Sequence, residues 1–390
     1  MNDTITIAAD NMLAQQHSDQ LKALITAEIE QQGGFISFAD YMQRCLYQPG
    51  FGYYSAGSHK LGQGGDFTTA PEISPLFGYA VASQVHDALQ QCTSKHILEF
   101  GAGSGQLAIA MLTQLESLNA LPERYFILEI SADLQARQQQ LIEQQRPDLA
   151  DRIEWIQTLP DAFNGVMLAN EVCDAMPVHL LRLTTSGIFE RGVSIENGNF
   201  IWQHKKLAHP RLIAFAERIN KPSQAVDYLT EVNLNAIDWM QTAAASLQQG
   251  AIFIIDYGYP FNDYYAAERA QGTLRSYYRQ QAIDDPLQLP GLQDISAHVD
   301  FTTLAETALE GGCHVAGFHE QGDFLVAGNI TQIAAELEAN SDALTWLQHS
   351  AALKQLLMPH VMGYQFKVLS LSKAIELLPR LQLQDRRYQL

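Results

Sequence analysis

The period of the apolar positions changes along the chain, and each change predicts a different element. Between Asp19 and Gln32, Leu21, Leu24, Ile25 and Ile29 recur at helical spacing and the pattern stops at Gly33-Gly34. Ser37 is placed to cap a second helix with Tyr41, Cys45 and Leu46 on its inner side, ended by Pro49-Gly50. The glycine-rich stretch Gly57 to Gly65 reads as a loop, and the segment Phe67 to Ser74 leads into a helix from Pro75 to Gln91.

At Lys95 the texture turns to strand, turn and helix in alternation. His96 to Phe100, Arg124 to Glu129, Arg152 to Ile156 and Gly165 to Ala169 read as successive buried strands, with helices over Gln106 to Leu118 and Ser131 to Gln145. This rhythm predicts a parallel sheet covered on both faces. From Val178 to Lys206 the period drops to two, with turns at Gly187 and Asn197-Gly198, as expected of an inserted β-ribbon. The α/β rhythm returns with a helix from Leu234 to Gln248 and a strand from Ala251 to Asp256. Tyr257 to Val299 is loop-rich, the kind of long irregular stretch that serves as a lid or wall. A helix at Phe301 to Leu309, a strand at His314 to Phe318, further helices and a last strand near Tyr364 to Leu371 complete the pattern.

These elements suggest a helical N-terminal region with its glycine-rich loop (residues 1–94) that contributes to a cofactor site. A core would follow at 95–177 and 232–372, with a ribbon and helix inserted at 178–231, a lid at 257–300 and a tail at 373–390.

Charge narrows the partners. With 24 basic and 43 acidic side chains the net charge is −19, which repels phosphate backbones and makes nucleic acid an unlikely ligand. A basic protein or peptide suits it better, although solubility alone also explains such acidity. Cys45, Cys92, Cys173 and Cys313 stand alone, so neither a metal knuckle nor a disulfide framework is indicated, and no metal is expected. No apolar run reaches membrane-spanning length, and Asp3 and Asp10 make the N-terminus unlike a secretory or mitochondrial leader. The expectation is a cytoplasmic protein with no membrane partner; oligomeric state is not legible.

The strongest chemical signal is Glu99-Phe-Gly101-Ala-Gly103-Ser-Gly105, at the end of the first buried strand and the start of a helix. Alternate glycines let a ligand lie against the main chain, and ligands bind where such strands end. A dinucleotide fingerprint needs its third glycine one residue later, and a phosphate loop needs Gly-Lys-Ser/Thr, which is missing here and in Gly57 to Gly65. A zwitterion without phosphate, such as S-adenosylmethionine, fits better, its ammonium end near Glu99. Its ribose needs a bidentate acceptor, and Glu129 at the end of the second strand supplies one. The fourth strand ends in Asn170-Glu171-Val-Cys-Asp174. A helical turn there would put Glu171 and Asp174 on one face, able to grip a cation and take its proton.

The chain resembles the MidA-type methyltransferases, also described as mitochondrial complex I assembly-factor methyltransferases. The resemblance runs from about Phe35 to Leu371 through Phe51-Gly-Tyr-Tyr54, Gly65-Asp-Phe-Thr68, Pro71-Glu-Ile-Ser74, Glu99-Phe-Gly-Ala-Gly103, Asn170-Glu171, Pro177-Val-His179, Asp256-Tyr-Gly258, Gly272-Thr-Leu-Arg275 and His298-Val-Asp-Phe301. It implies an α/β, Rossmann-like class I methyltransferase: a doubly wound, mostly parallel sheet with an antiparallel last strand, plus the helical N-terminal region and the inserted ribbon and lid. It implies S-adenosylmethionine as cofactor, contacted by Thr69, Glu72, Glu99, Gly101, Gly103, Gly105, Glu129, Ser131 and Asn170. Less firmly, it implies methylation of arginine on a protein partner. A guanidinium is protonated in water, with a pKa above roughly 12, so carboxylates must help it lose a proton. Glu171 and Asp174 come first, Asp256 and Asp300 next, with His179 and His298 as relays and Arg275 and Tyr277 in the substrate-facing lid. The family often has Pro and Arg inside the glycine turn, where this chain has Ala102 and Ser104, and two aromatics where it has Val172 and Cys173. The rival readings are a nicotinamide oxidoreductase, a non-catalytic assembly factor that keeps the fold, and a small-molecule methyltransferase.

Overall fold

The computed structural model describes residues 2–55, 69–219, 227–279, 281–376 and 379–390, with side chains from residue 12 onward. The Gly57 to Gly65 loop and the Gly65 to Thr68 motif lie outside the described residues. The chain divides into two compact units, one of residues 1–59, 174–236 and 262–298, the other of 60–173, 237–261 and 299–390.

The second of these units holds the sheet that the β/α alternation predicts. Its first strand, His96–Phe100, pairs in parallel with the second, Arg124–Leu128, and with the fourth, Phe163–Asn170. The second pairs in parallel with the third, Ile153–Ile156, and the fourth with the fifth, Leu247–Tyr259. The last strand, Phe366–Lys373, lies antiparallel between the fifth and the sixth, His314–Glu320, so the spatial order is 3-2-1-4-5-7-6. The antiparallel last strand is as expected. Helices Pro75–Leu89, Gln106–Ser117 and Ala132–Gln145 follow the predicted bounds closely. Leu76, Phe77, Val81, Ile97, Met111, Tyr125, Val166 and Phe253 form the center of its core, all with no exposed surface. Burying a side chain of this size contributes about 1.5–3 kcal/mol, which is why strands flanked on both faces are apolar throughout.

The first unit is built on the ribbon. Strand His179–Thr184 lies antiparallel between Gly187–Glu196 and Asp227–Val232, and Asn199–Lys206 continues beyond Gly187–Glu196. Helix Asn2–Gln31 buries Leu21, Ile25 and Ile29 at four-residue spacing against Phe38, Tyr41 and Val193. Two details differ from the sequence pattern. The helix starts at Asn2 rather than Asp19, because no proline or glycine interrupts the residues before it. Leu24 is 47% exposed, at the edge of the stripe rather than within it. The stretch read as loop-rich also carries a small antiparallel sheet of Arg275–Tyr278 between Gln281–Ala282 and Asp294–Ser296. No helix among the described residues is long and apolar enough to cross a membrane.

That sheet is tied to the ribbon by a buried carboxylate. Glu231, 2% exposed, accepts from Thr273 N at 2.9 and 3.0 Å, Leu274 N at 3.1 Å, Thr273 Oγ1 at 3.1 Å and Tyr264 Oη at 3.2 Å. Gly272 lets the backbone come this close: its φ is +72°, and a Cβ there would stand 2.1 Å from Glu231 Oε1. Gly272→Ala is expected to lower the unfolding free energy by about 2–4 kcal/mol in urea denaturation, through positive-φ strain and a displaced buried carboxylate.

Candidate active site

In the sheet-bearing unit the cofactor candidates gather where the parallel strands end. Glu99 closes the first strand and is 2% exposed, with Tyr125 Oη donating to its Oε2 at 2.7 Å. Burial pushes its carboxyl from 4.5 up to about 7, only partly opposed by the Tyr125 hydrogen bond, and the nearby Glu129 charge pushes the same way. Beyond it Gly101, Gly103 and Gly105 all take positive φ, at 59°, 56° and 92°. Gly101 N donates to Leu128 O at 3.0 Å, which carries the ladder past the strand end, and Gly105 caps the next helix. This backbone is costly for any side-chain-bearing residue, so the glycines are required by conformation as well as by ligand approach.

Two side chains hold the turn. Ser104 Oγ donates to Glu72 Oε1, from the short helix Ala70–Ile73 that Thr69 precedes. Gln138, with no exposed surface, donates from Nε2 to Gly103 O at 3.0 Å and to Glu129 Oε2 at 3.0 Å, while its Oε1 accepts from Trp155 Nε1 at 2.9 Å. Gln138 was missed in the sequence because it is one of a run of glutamines on a polar helix, with no pattern to single it out. Glu129 follows the second strand and is 5% exposed, and burial is the largest influence on its carboxyl, raising it. Its Oε1 accepts from Ser131 N at 2.9 Å. Ser131 thereby holds Glu129, and its hydroxyl caps helix Ala132–Gln145 by accepting from Leu134 N.

At the end of the fourth strand Asn170 Nδ2 donates to Glu171 Oε1 at 3.3 Å, and Asn170 Oδ1 is buried with no hydrogen-bond partner among the described residues. A buried carbonyl oxygen without a donor is costly and marks a place where a ligand donor fits. The helical turn expected after Asn170 does not form. Glu171 instead takes a left-handed backbone, φ +53°, with its N–H donating to Ile255 O at 2.9 Å. Such a conformation in a non-glycine residue costs of order 1–3 kcal/mol and clusters at functional sites.

The remaining acids serve as anchors here. Asp256 is fully buried and accepts from Cys173 N at 2.9 Å and Tyr257 N at 2.8 Å, so it fixes the loop after the fourth strand. Asp300 caps helix Phe301–Glu310 through Thr303 N at 3.1 Å and Thr303 Oγ1 at 2.5 Å. In the ribbon unit, the Asp174 carbonyl accepts from Ala297 N at 2.9 Å, and His298 N donates to Thr273 Oγ1 at 3.0 Å. His179 Nδ1 lies 2.8 Å from Glu190 Oε1, an ion pair within the ribbon once the ring is protonated. Arg275 is exposed and donates to its neighbour Leu274 O at 2.9 Å, and Tyr277 pairs with Asp294 and Ala282.

The donor and acceptor set fits S-adenosylmethionine. The Glu129 carboxylate takes donors from Ser131 N, Ile130 N and Gln138 Nε2 and keeps acceptor capacity for a ribose hydroxyl. Among the described residues a Cβ on Gly101 would meet only Val172 Cγ2, at 3.7 Å, so the backbone there is open to close approach.

Comparison with known proteins agrees with this geometry. A family model described as "Putative S-adenosyl-L-methionine-dependent methyltransferase" matches residues 80–319. The chain is 28% identical over 381 residues to the mitochondrial protein arginine methyltransferase NDUFAF7 of Danio rerio, covering 90% of this chain and 86% of that one. It is 26% identical over 386 residues to the human protein of that name, covering 91% and 83%. A Burkholderia thailandensis protein solved with S-adenosyl-homocysteine bound superposes with a TM-score of 0.92 at 40% identity, over 97% of this chain and 98% of that chain. One expectation falls: these curated relatives are mitochondrial by name, so the cytoplasmic location does not stand. Isolated thiols and the absence of a spanning helix do not separate one reducing compartment from another.

The pH behaviour of Glu99 follows from its burial. Between about 4.5 and about 7 the folded protein keeps a proton that the unfolded chain has released, so the stability from this group is full below the ordinary value and is lost as pH rises through about 7. Glu99→Gln is expected to stabilise the ligand-free protein at pH 8, by at most about 3 kcal/mol, and to leave it near wild type at pH 4; parallel urea midpoints across that range would show the assignment to be wrong.

Proposed function

The chain belongs to the S-adenosyl-L-methionine-dependent methyltransferase family whose model it matches, and from that membership we propose that it methylates arginine on a basic protein partner. S-adenosylmethionine is the cofactor and supplies a methyl group on a positively charged sulfur. The protein's share of the work is alignment, which is worth about 7–11 kcal/mol in well-oriented systems, and handling of the acceptor's proton.

Glu99 and the turn Gly101 to Gly105 receive the amino-acid end in this reading, Glu129 the ribose hydroxyls, and Asn170 Oδ1 a ligand donor. Release of the Glu99 proton near neutral pH would let its carboxylate favour the ammonium. The observation that carries the acceptor assignment is Glu171. Its carboxylate stands at the end of the fourth strand on a strained backbone, held by Ile255 O and Asn170. Strain of this kind persists only where surrounding bonds fix it, and it sets the side chain independently of the loop that follows. A carboxylate so fixed can bind a guanidinium through two N–H donors and take its proton as the methyl arrives. The net charge of −19 favours a basic partner over a nucleic acid or an anionic lipid surface. The names of the curated relatives support arginine as the acceptor.

Glu171→Gln keeps the shape of the side chain and removes its charge and basicity. It is expected to retain S-adenosyl-homocysteine affinity in calorimetry and to lose turnover by about 10²–10⁴-fold. Labelled S-adenosylmethionine with cell extract, followed by mass spectrometry, identifies the acceptor. Label on a small metabolite alone would replace the arginine reading with a small-molecule one, and full turnover of the variant would remove Glu171 from the handling of the acceptor's proton.

A further inference from the structure

The three hydrogen bonds of Gln138 join elements that are far apart in sequence: the glycine turn through Gly103 O, the carboxylate after the second strand through Glu129 Oε2, and the third strand through Trp155 Nε1. The amide is saturated, since both N–H groups donate and the oxygen accepts, and it has no exposed surface. A primary amide is the side chain suited to this place. Gly103 O and Glu129 Oε2 both need donors, while Trp155 Nε1–H needs an acceptor. A lysine supplies donors only and a carboxylate acceptors only.

We propose that Gln138 is the positioning residue that orients Glu129 for the cofactor's ribose and sets the spacing between that carboxylate and the glycine turn. The proposal rests on the reading of Glu129 as ribose acceptor. Ser131 N on Oε1 and Gln138 Nε2 on Oε2 hold the carboxylate from two sides, so its rotation is fixed before a ligand arrives. Because the same Nε2 also holds Gly103 O, the distance between the two ends of an S-adenosyl ligand is set by one side chain. A residue acting this way contributes to ligand binding and not to the methyl-transfer step, so its loss should appear in KM for S-adenosylmethionine and leave kcat alone.

The test uses the full chain with S-adenosyl-homocysteine and methylthioadenosine as calorimetric probes, and the variants Gln138→Leu and Gln138→Glu. Gln138→Leu should weaken both probes about tenfold, the value of a lost hydrogen bond to a charged group, and raise KM to match with kcat within twofold. The near-isosteric Gln138→Glu guards against a folding defect. Its added carboxyl faces Glu129, with Glu99 the other titrating neighbour through its coupling to Glu129. Relative to wild type measured at the same pH, it should bind poorly at pH 8 and recover toward pH 5, where the protonated acid again donates to Glu129. Wild-type affinity in Gln138→Leu, or a Gln138→Glu curve parallel to wild type, overturns the proposal. Wild-type affinity in Glu129→Ala overturns the ribose reading beneath it; weak binding in Glu129→Ala with normal binding in Gln138→Leu overturns only the role of Gln138.

Discussion

The structure depends on burying carboxylates and satisfying them with neutral donors. Glu99, Glu129 and Glu231 are each at most 5% exposed, and their hydrogen bonds come from backbone N–H groups, an amide, a threonine and tyrosine hydroxyls. Burial raises all three carboxyls, and the donors pull them back only in part. A buried anion held by dipoles rather than by a lysine or arginine keeps electrostatic reach toward an incoming cation. It also demands backbone that can crowd a carboxylate, which only glycine or a turn residue allows. This links Gly272 to Glu231 in one unit; in the other, Glu99 and Glu129 lie beside a turn whose three glycines take positive φ.

The two units use the same device for different ends. Around Glu231 every oxygen meets donors from the Gly272 to Leu274 turn and from Tyr264, so the carboxylate works as an internal clasp for the small sheet. Around Glu129 the donors are fewer, Ser131 N, Ile130 N and Gln138 Nε2, and acceptor capacity is left over for a ligand. Asp256 and Asp300 also accept from amides and a threonine hydroxyl, which hold the loop after the fourth strand and the start of helix Phe301–Glu310.

The fold was legible because it rests on periodicity. The buried strands, the helices between them and the ribbon with turns at Gly187 and Asn197-Gly198 stand where the apolar pattern put them. The glycine turn, Glu99 and Glu129 were legible because strand ends and alternate glycines leave a local signature. What was not legible depends on contacts between distant segments. Gln138 looks like any other glutamine in its helix until Gly103, Glu129 and Trp155 surround it. Glu171 was read as the start of a helical turn, since spacing alone favours i, i+3 pairing with Asp174. The bond from its N–H to Ile255 O, which the pairing of the fourth and fifth strands creates, turns the backbone left-handed instead. Gly272 could be seen as part of a motif, but its reason, the approach of Glu231, lies 41 residues earlier in the chain.

The departures from the family pattern inside the turn now have a physical reading. At the position where the resemblance leads one to expect arginine, Ser104 donates its hydroxyl to Glu72. A hydroxyl is a single short donor, whereas a guanidinium is a rigid fork with five. The turn in this chain is held by the Ser104 hydroxyl on the Glu72 side and by Gln138 at Gly103 O. Geometry in the turn is then set chiefly by three glycines at positive φ and a single buried amide, with electrostatics left to Glu99 and Glu129.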